Sequence, residues 1–196
     1  MAEKTNLLPL DGWAYLEEGL FALDEAEAFR ERLESEIDWH QEYASFFGKR
    51  QKLPRLTAWF GDGAYAYSGV NHPAKAMPLV VRAIHDIVER RANHHFNSVL
   101  LNLYRDGADG MGWHSDDEVV LGPEPVIASI SFGAVRRFSF KHKKRATPRI
   151  DLDLPSGSCL LMGGSCQAHW RHQLPKTKKP VGPRINLTYR WLEPDG

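Results

Sequence analysis

His114 and Asp116 stand one residue apart at the end of NLYRDGADGMGWHSDD (102–117), a strand-like run that passes through a glycine-rich loop. Alternate side chains on extended backbone point the same way, so an imidazole and a carboxylate at this spacing can grip one ion. With nine histidines present, such a pair arises by chance roughly half the time in a chain of this size, and it carries weight only with its surroundings. A third ligand must come from elsewhere. His172, in a later β-type segment, offers a second imidazole, and on the residues alone nearby His169 is a rival. Two histidines and one carboxylate occupy one face of a six-coordinate Fe(II) and leave three positions for a co-substrate and O2.

Two further stretches say what that co-substrate is. PRINLTYRW (183–191) alternates strictly, with Arg184, Asn186, Thr188 and Arg190 on one face and Ile185, Leu187, Tyr189 and Trp191 on the other. Two arginines on one face of a strand are costly to bury without anionic partners. A small dicarboxylate beside the metal would supply them. In SVLLNLYRD (98–106), Asn102 and Tyr104 share a face and offer hydrogen bonds to a bound acid.

NxYxxG, then HxD, then HW-x-H ahead of PRxNLTxR, in that order from Phe46 to Trp191, resemble the AlkB family of Fe(II)- and 2-oxoglutarate-dependent dioxygenases, closest to the members that demethylate bases in duplex DNA. The resemblance selects His172 over His169 as the ligand beside His114 and Asp116. It implies that Arg184, helped by Asn102 and Tyr104, pairs with the far carboxylate of 2-oxoglutarate. Arg190 would approach the iron-side carboxylate, and Asn186 and Thr188 would complete the co-substrate wall. It implies oxidative demethylation of 1-methyladenine and 3-methylcytosine in DNA, with release of formaldehyde, succinate and CO2. RNA, a protein or a small molecule is the alternative substrate.

The resemblance also distributes substrate contacts. In EYASFFGKRQKLPRLTAWFGDGAYAYSG (42–69) aromatic rings interleave with Lys49, Arg50, Lys52 and Arg55, a composition suited to base stacking and phosphate contact. Trp59 and Phe60 are better read as core. Phe47 matches a finger that fills the gap left by a flipped base, and Tyr67 a ring that stacks on it, with Tyr65 nearby; an enzyme acting on a base inside a duplex requires both devices. Glu118, two residues after Asp116, matches an acid near the exocyclic amine, and a carboxylate there favours a cationic methylated ring. Lys141, His142 and Lys143 fall in a basic hairpin near the DNA backbone.

Length and composition set the frame. The chain has 196 residues, 42% of them hydrophobic, and zero formal net charge, which fits one catalytic domain. Its first part, to about 95, would hold helices and a substrate lid, and the rest the metal-bearing core. No run has membrane-spanning length and the first residues lack a signal-peptide layout, so a cytoplasmic monomer is expected, nuclear in a eukaryote. Cys159 and Cys166 are too few for a disulfide framework. Charge is segregated: acid dominates to Asp38, whereas 136–149 contains no acid and seven Lys or Arg, with more lysines at 176, 178 and 179. Such a basic pole suits phosphate contact or an ordinary solvated loop equally.

The periodicity predicts two helices followed by sheet. One opens on an Asp24–Glu27 capping box with Ala26, Phe29, Leu33 and Ile37 inward, and one spans 78–92. Short strands are expected at 98–105, 126–132, 137–142, 150–154, 158–161, 169–172 and 184–191. Strands of this spacing make a sandwich or barrel. The resemblance narrows that to an α+β, mainly β, double-stranded β-helix with the metal at its open end.

Overall fold

The computed structural model describes residues 5–46, 49–61, 65–67 and 70–193; at 45–46, 49, 65–67 and 70–72 it describes the backbone alone. The strands are β1 (Trp13–Glu17), β2 (Tyr43–Phe46), β3 (Lys49–Lys52), β4 (Leu56–Gly61), β5 (Tyr65–Tyr67), β6 (Val70–His72), β7 (Ser98–Tyr104), β8 (Met111–His114), β9 (Ile127–Gly133), β10 (Arg136–His142), β11 (Ile150–Leu154), β12 (Ser158–Gly163), β13 (Trp170–Leu174) and β14 (Arg184–Arg190). The helices are α1 (Leu23–Glu36), α2 (Leu79–Ala92) and the single turn α3 (Cys166–His169).

Ten of these strands form two antiparallel sheets, a six-stranded one ordered β1-β12-β9-β14-β7-β4 and a four-stranded one ordered β11-β10-β13-β8. This is the jelly-roll core expected of the double-stranded β-helix. The large sheet is buried on both faces. One face packs Val99, Leu101, Leu103, Ile185, Leu187 and Tyr189 against Leu33 of α1 and Val80, Ile84 and Val88 of α2. The other turns Tyr104, Ile127 and Leu160 toward Phe138, Phe140, Trp170 and Leu174 of the small sheet. Strands alternate inside and out, so each face receives its own set of side chains.

Several expectations need correction. The sheet does not wait for the helices: β1 and β4 precede α2, yet each joins the large sheet at an edge. Every residue of β4 after Leu56 is buried, so its sequence LTAWFG shows no alternation to detect. The capping box does not form. α1 begins at Leu23 with Ala22 as N-cap and no side-chain cap; Asp24 lies inside the first turn, where a carboxylate still favours the helix dipole. Trp191 falls one residue beyond β14 and is 42% exposed, so it does not extend the apolar face of that strand. Trp59 and Phe60 are core residues, 5% and 2% exposed. Among the described residues no helix is long and apolar enough to cross a membrane.

Candidate metal and co-substrate site

β8 and β13 lie side by side with His114 directly opposite His172. The antiparallel register brings both imidazoles to the inner face, with ring centroids 4.2 Å apart. Asp116 comes two residues later, beyond the end of β8, and is 1% exposed. Ligand atoms of these three side chains all lie within 4.8 Å of one another.

The hydrogen bonds around the triad leave the right atoms free. A carbonyl only accepts, so His114 Nδ1 donates to Gly112 O at 2.8 Å. That fixes the tautomer and leaves Nε2 unprotonated, 3.8 Å from Asp116 Oδ1. Asp116 Oδ2 accepts from Arg190 Nε at 3.2 Å and Nη2 at 2.7 Å. Asp116 Oδ1 and His172 Nδ1 are buried without a hydrogen-bond partner among the described residues. A buried carboxylate oxygen rarely goes unpaired. His114, Asp116 and His172 would hold a divalent cation there, which would satisfy the Asp116 oxygen.

Electrostatics point the same way. Burial, reinforced by His114, pulls the His172 pKa down to about 3. Burial also lowers His114. Both are therefore neutral and ligand-ready at physiological pH. Burial alone would raise the Asp116 carboxyl, but the Arg190 guanidinium and the two neighbouring imidazoles together outweigh it and hold the group well below its usual range. Two imidazoles and one anionic oxygen on one face form the donor set of non-haem Fe(II).

The cavity next to the triad lies between the sheets and receives Leu100, Asn102 and Tyr104 of β7 and Arg184, Asn186, Thr188 and Arg190 of β14. These are the polar faces of the two alternating strands, registered Arg184 to Tyr104 and Asn186 to Asn102. Arg184 is 2% exposed. Its Nη2 donates to Ser131 Oγ at 2.9 Å, its guanidinium lies 5.5 Å from the Tyr104 ring centroid, and its Nε has no hydrogen-bond partner among the described residues. No carboxylate among the described residues pairs with it, and burial pulls its pKa down to about 10. A buried guanidinium with no counter-anion costs free energy until an anion arrives. Arg184 would hold one carboxylate of 2-oxoglutarate in the cavity that the triad also lines.

The remaining candidates divide. Asn186 Nδ2 donates to Ser129 Oγ (2.8 Å) and Ile130 O (3.0 Å), and its Oδ1 accepts from Thr188 (3.0 Å), so these two stiffen the cavity wall. Arg190 directs Nε and Nη2 at Asp116 Oδ2. Arg55 is no phosphate contact: it is 3% exposed and its Nε donates to Asn102 Oδ1 at 2.7 Å. His142 does not face DNA either. Its side chain is 1% exposed, and its Nδ1 accepts the backbone N–H of Lys144 (3.1 Å) and Arg145 (2.8 Å). In a hairpin read as solvated charge, the imidazole is what folds the turn. Lys143 is tied to Asp117 and the Gln167 carbonyl, and Lys141 Nζ sits 4.4 Å over the Trp113 ring. Glu118 is half-buried with Oε2 unpartnered among the described residues, and burial together with Asp116 raises its pKa. Phe47 lies outside the described residues, as do the Tyr65 and Tyr67 side chains on β5. The two basic runs, far apart in sequence, converge: Arg136, Arg137, Arg149, Lys176 and Lys179 line one cleft over the small sheet.

Asp11, His142 and His169 form a second cluster with metal-like spacing. His142 excludes a metal there. Because Nδ1 accepts two N–H groups, the ring proton sits on Nε2, which donates to Asp11 Oδ2 at 3.0 Å. The protein is therefore expected to bind one equivalent of Mn(II) or Fe(II) by titration; a second tight equivalent would contradict this assignment.

The sequence pattern of the 2OG-Fe(II) oxygenase superfamily matches residues 14–190. Alpha-ketoglutarate-dependent dioxygenase alkB homolog 3 of Homo sapiens is 38% identical over 186 residues, covering 90% of this chain and 65% of that protein. The chain thus spans just under two thirds of that relative's length. DNA oxidative demethylase ALKBH2 of Homo sapiens is 39% identical over 183 residues, covering 87% of this chain and 70% of that protein. Among solved structures, OsALKBH1 matches with a TM-score of 0.63 at 19% identity, over 90% of this chain and 97% of that one. A 2OG-Fe(II) oxygenase family oxidoreductase from Burkholderia pseudomallei matches with a TM-score of 0.61 at 14% identity, over 93% and 86%. At those identities the likeness establishes the shared fold. With the superfamily pattern running through all three metal ligands and the arginine strand, this chain belongs to the AlkB family of the 2OG-Fe(II) oxygenase superfamily.

Proposed function

We propose that the protein removes N-methyl groups from nucleobases of DNA, such as 1-methyladenine and 3-methylcytosine, by Fe(II)- and 2-oxoglutarate-dependent hydroxylation. The observation that carries this is the buried Arg184, with no carboxylate partner among the described residues, facing the same cavity as the His114–Asp116–His172 triad. A cation held there without a counter-ion is complementary to a carboxylate ligand. When bound, iron, 2-oxoglutarate and O2 would supply hydroxylation of the methyl carbon coupled to oxidative decarboxylation of 2-oxoglutarate to succinate and CO2, and the hemiaminal product would then release formaldehyde.

The chain's own residues bind and orient. Arg184 takes the far carboxylate, with Tyr104 and Asn102 beside it. Arg190 holds Asp116 Oδ2 so that Oδ1 faces the two imidazoles. Glu118 stands next to the triad as a partly desolvated acid and favours a cationic ring. The cleft lined by Arg137, Arg149, Lys176 and Lys179 provides the charge that a phosphate backbone requires. The DNA substrate is supported by the relative that bears the name DNA oxidative demethylase.

The test is mass spectrometry of oligonucleotides carrying 1-methyladenine, single-stranded and duplex, after incubation with Fe(II) and 2-oxoglutarate. Loss of one methyl group is expected; retention of the methyl on both substrates would refute the reading. Phe47→Ala is expected to slow duplex repair on the order of tenfold or more, since no wedge then replaces the extruded base, while single-strand repair persists. Equal slowing of both would assign Phe47 to another role.

A further inference from the structure

Asp116 is a metal ligand with no strand to hold it. β8 ends at His114, and residues 115–118 belong to no strand or helix. The carboxylate therefore sits on irregular backbone, where the ladder cannot fix its position. Other groups do so. Ser115 Oγ donates to Trp170 O at 2.9 Å. The Asp116 N–H donates to Gln167 Oε1 at 3.0 Å, and the Asp117 carboxylate accepts from Lys143 Nζ at 3.0 Å.

Gln167 is the centre of this brace. It is 1% exposed on α3, a neutral amide buried beside the metal ligand. Among the described residues its Nε2 meets only weak acceptors, Met162 Sδ at 3.8 Å and Cys166 Sγ at 3.9 Å, so the one strong hydrogen bond of the amide there is the one to Asp116. Its backbone carbonyl accepts from the same Lys143 Nζ, at 2.8 Å. One ammonium thus clamps both the residue after the metal ligand and the residue that holds the metal ligand.

We propose that Gln167 is a positioning residue for Asp116, and that Lys143 is the outer half of the same brace. The lysine of the basic hairpin then serves the metal site and is not a cation held in reserve for phosphate. Neither side chain touches the metal. They act by fixing the backbone from which the Asp116 carboxylate projects, as outer partners of metal ligands do. The inference rests on the triad being a metal site.

The test compares Mn(II) affinity of apo wild type, Gln167→Met and Lys143→Met by titration, with apo thermal melts alongside. Methionine matches glutamine in length and is one atom shorter than lysine, and it removes the acceptor or the charge. Gln167→Met is expected to bind Mn(II) about 10- to 100-fold more weakly, and Lys143→Met about threefold or more weakly. A purely structural role would lower the melting temperature and leave the dissociation constant of the folded fraction unchanged; that result overturns the proposal. If Gln167→Met does not fold, half-exposed Lys143→Met decides alone, with unchanged affinity counting against the brace. Failure of wild type to bind Mn(II) would refute the metal site and the brace together. Equal binding by all three proteins would refute the brace only.

Discussion

Arg184→Met is expected to abolish the response to 2-oxoglutarate without weakening the apo protein. The wild-type guanidinium is 2% exposed and has no carboxylate partner among the described residues. Removing one partner of a buried charge pair costs about 2–5 kcal/mol, so 2-oxoglutarate affinity falls roughly 30- to 5000-fold. In the apo protein the same change removes an uncompensated buried charge and substitutes a flexible hydrophobe of similar length, which is neutral or stabilising. Differential scanning fluorimetry reads both effects. The wild type should melt higher as 2-oxoglutarate is added in the presence of Mn(II). Arg184→Met should start at or above the wild-type midpoint and show no rise. Arg184→Lys keeps the charge but not the fork, and should fall between them. A persistent 2-oxoglutarate-dependent rise in the methionine variant would show that the carboxylate binds elsewhere.

Asp116→Asn should fail differently, losing metal binding and stability together. Asparagine keeps the shape and the backbone N–H to Gln167 but removes the anion that pairs with Arg190, 2.7 Å away. Breaking a buried pair on one side costs about 3–5 kcal/mol because the surviving charge is uncompensated. Loss of a ligand should weaken Mn(II) binding at least about 100-fold, the upper end of what loss of a mere outer partner costs. Asp116→Asn with Arg190→Met removes both charges and should recover most of the stability but none of the metal binding, which separates the two roles by a double-mutant cycle. The pH dependence has a definite sign. The Asp116 carboxyl sits below its ordinary value of 3.8, so its contribution to apo stability is full above that pH and is lost as pH falls beneath it. Asp116→Asn should lose that part of the acid sensitivity.

How much of this the sequence revealed follows from which contacts are local. β7 and β14 were legible because both are central strands with one apolar and one polar face, so strict alternation placed Asn102, Tyr104, Arg184 and Arg190 on the cavity side. The His114–Asp116 spacing was legible for the same reason, although Asp116 lies just past the strand that the spacing implies. His142 was not. A histidine in KHKKR looks solvated, and only the fold brings Asp11 to it across 131 positions. Arg55 and Gln167 escaped likewise, since their partners Asn102 and Asp116 lie 47 and 51 positions away. β4 escaped because burial on both faces erases the alternation that marks a strand. Pairings between distant segments leave no periodic trace in either one.

The most direct test of the demethylase reading is the ratio of formaldehyde to succinate when the Fe(II)-loaded protein turns over 2-oxoglutarate with and without an oligonucleotide containing 1-methyladenine. The expected result is little succinate without the oligonucleotide, then equimolar succinate and formaldehyde with it, and neither product from Arg184→Met. Succinate formed at the same rate whether or not the methylated base is present, with no formaldehyde, would contradict it: the iron and 2-oxoglutarate chemistry would stand, and its substrate would not be a methylated base.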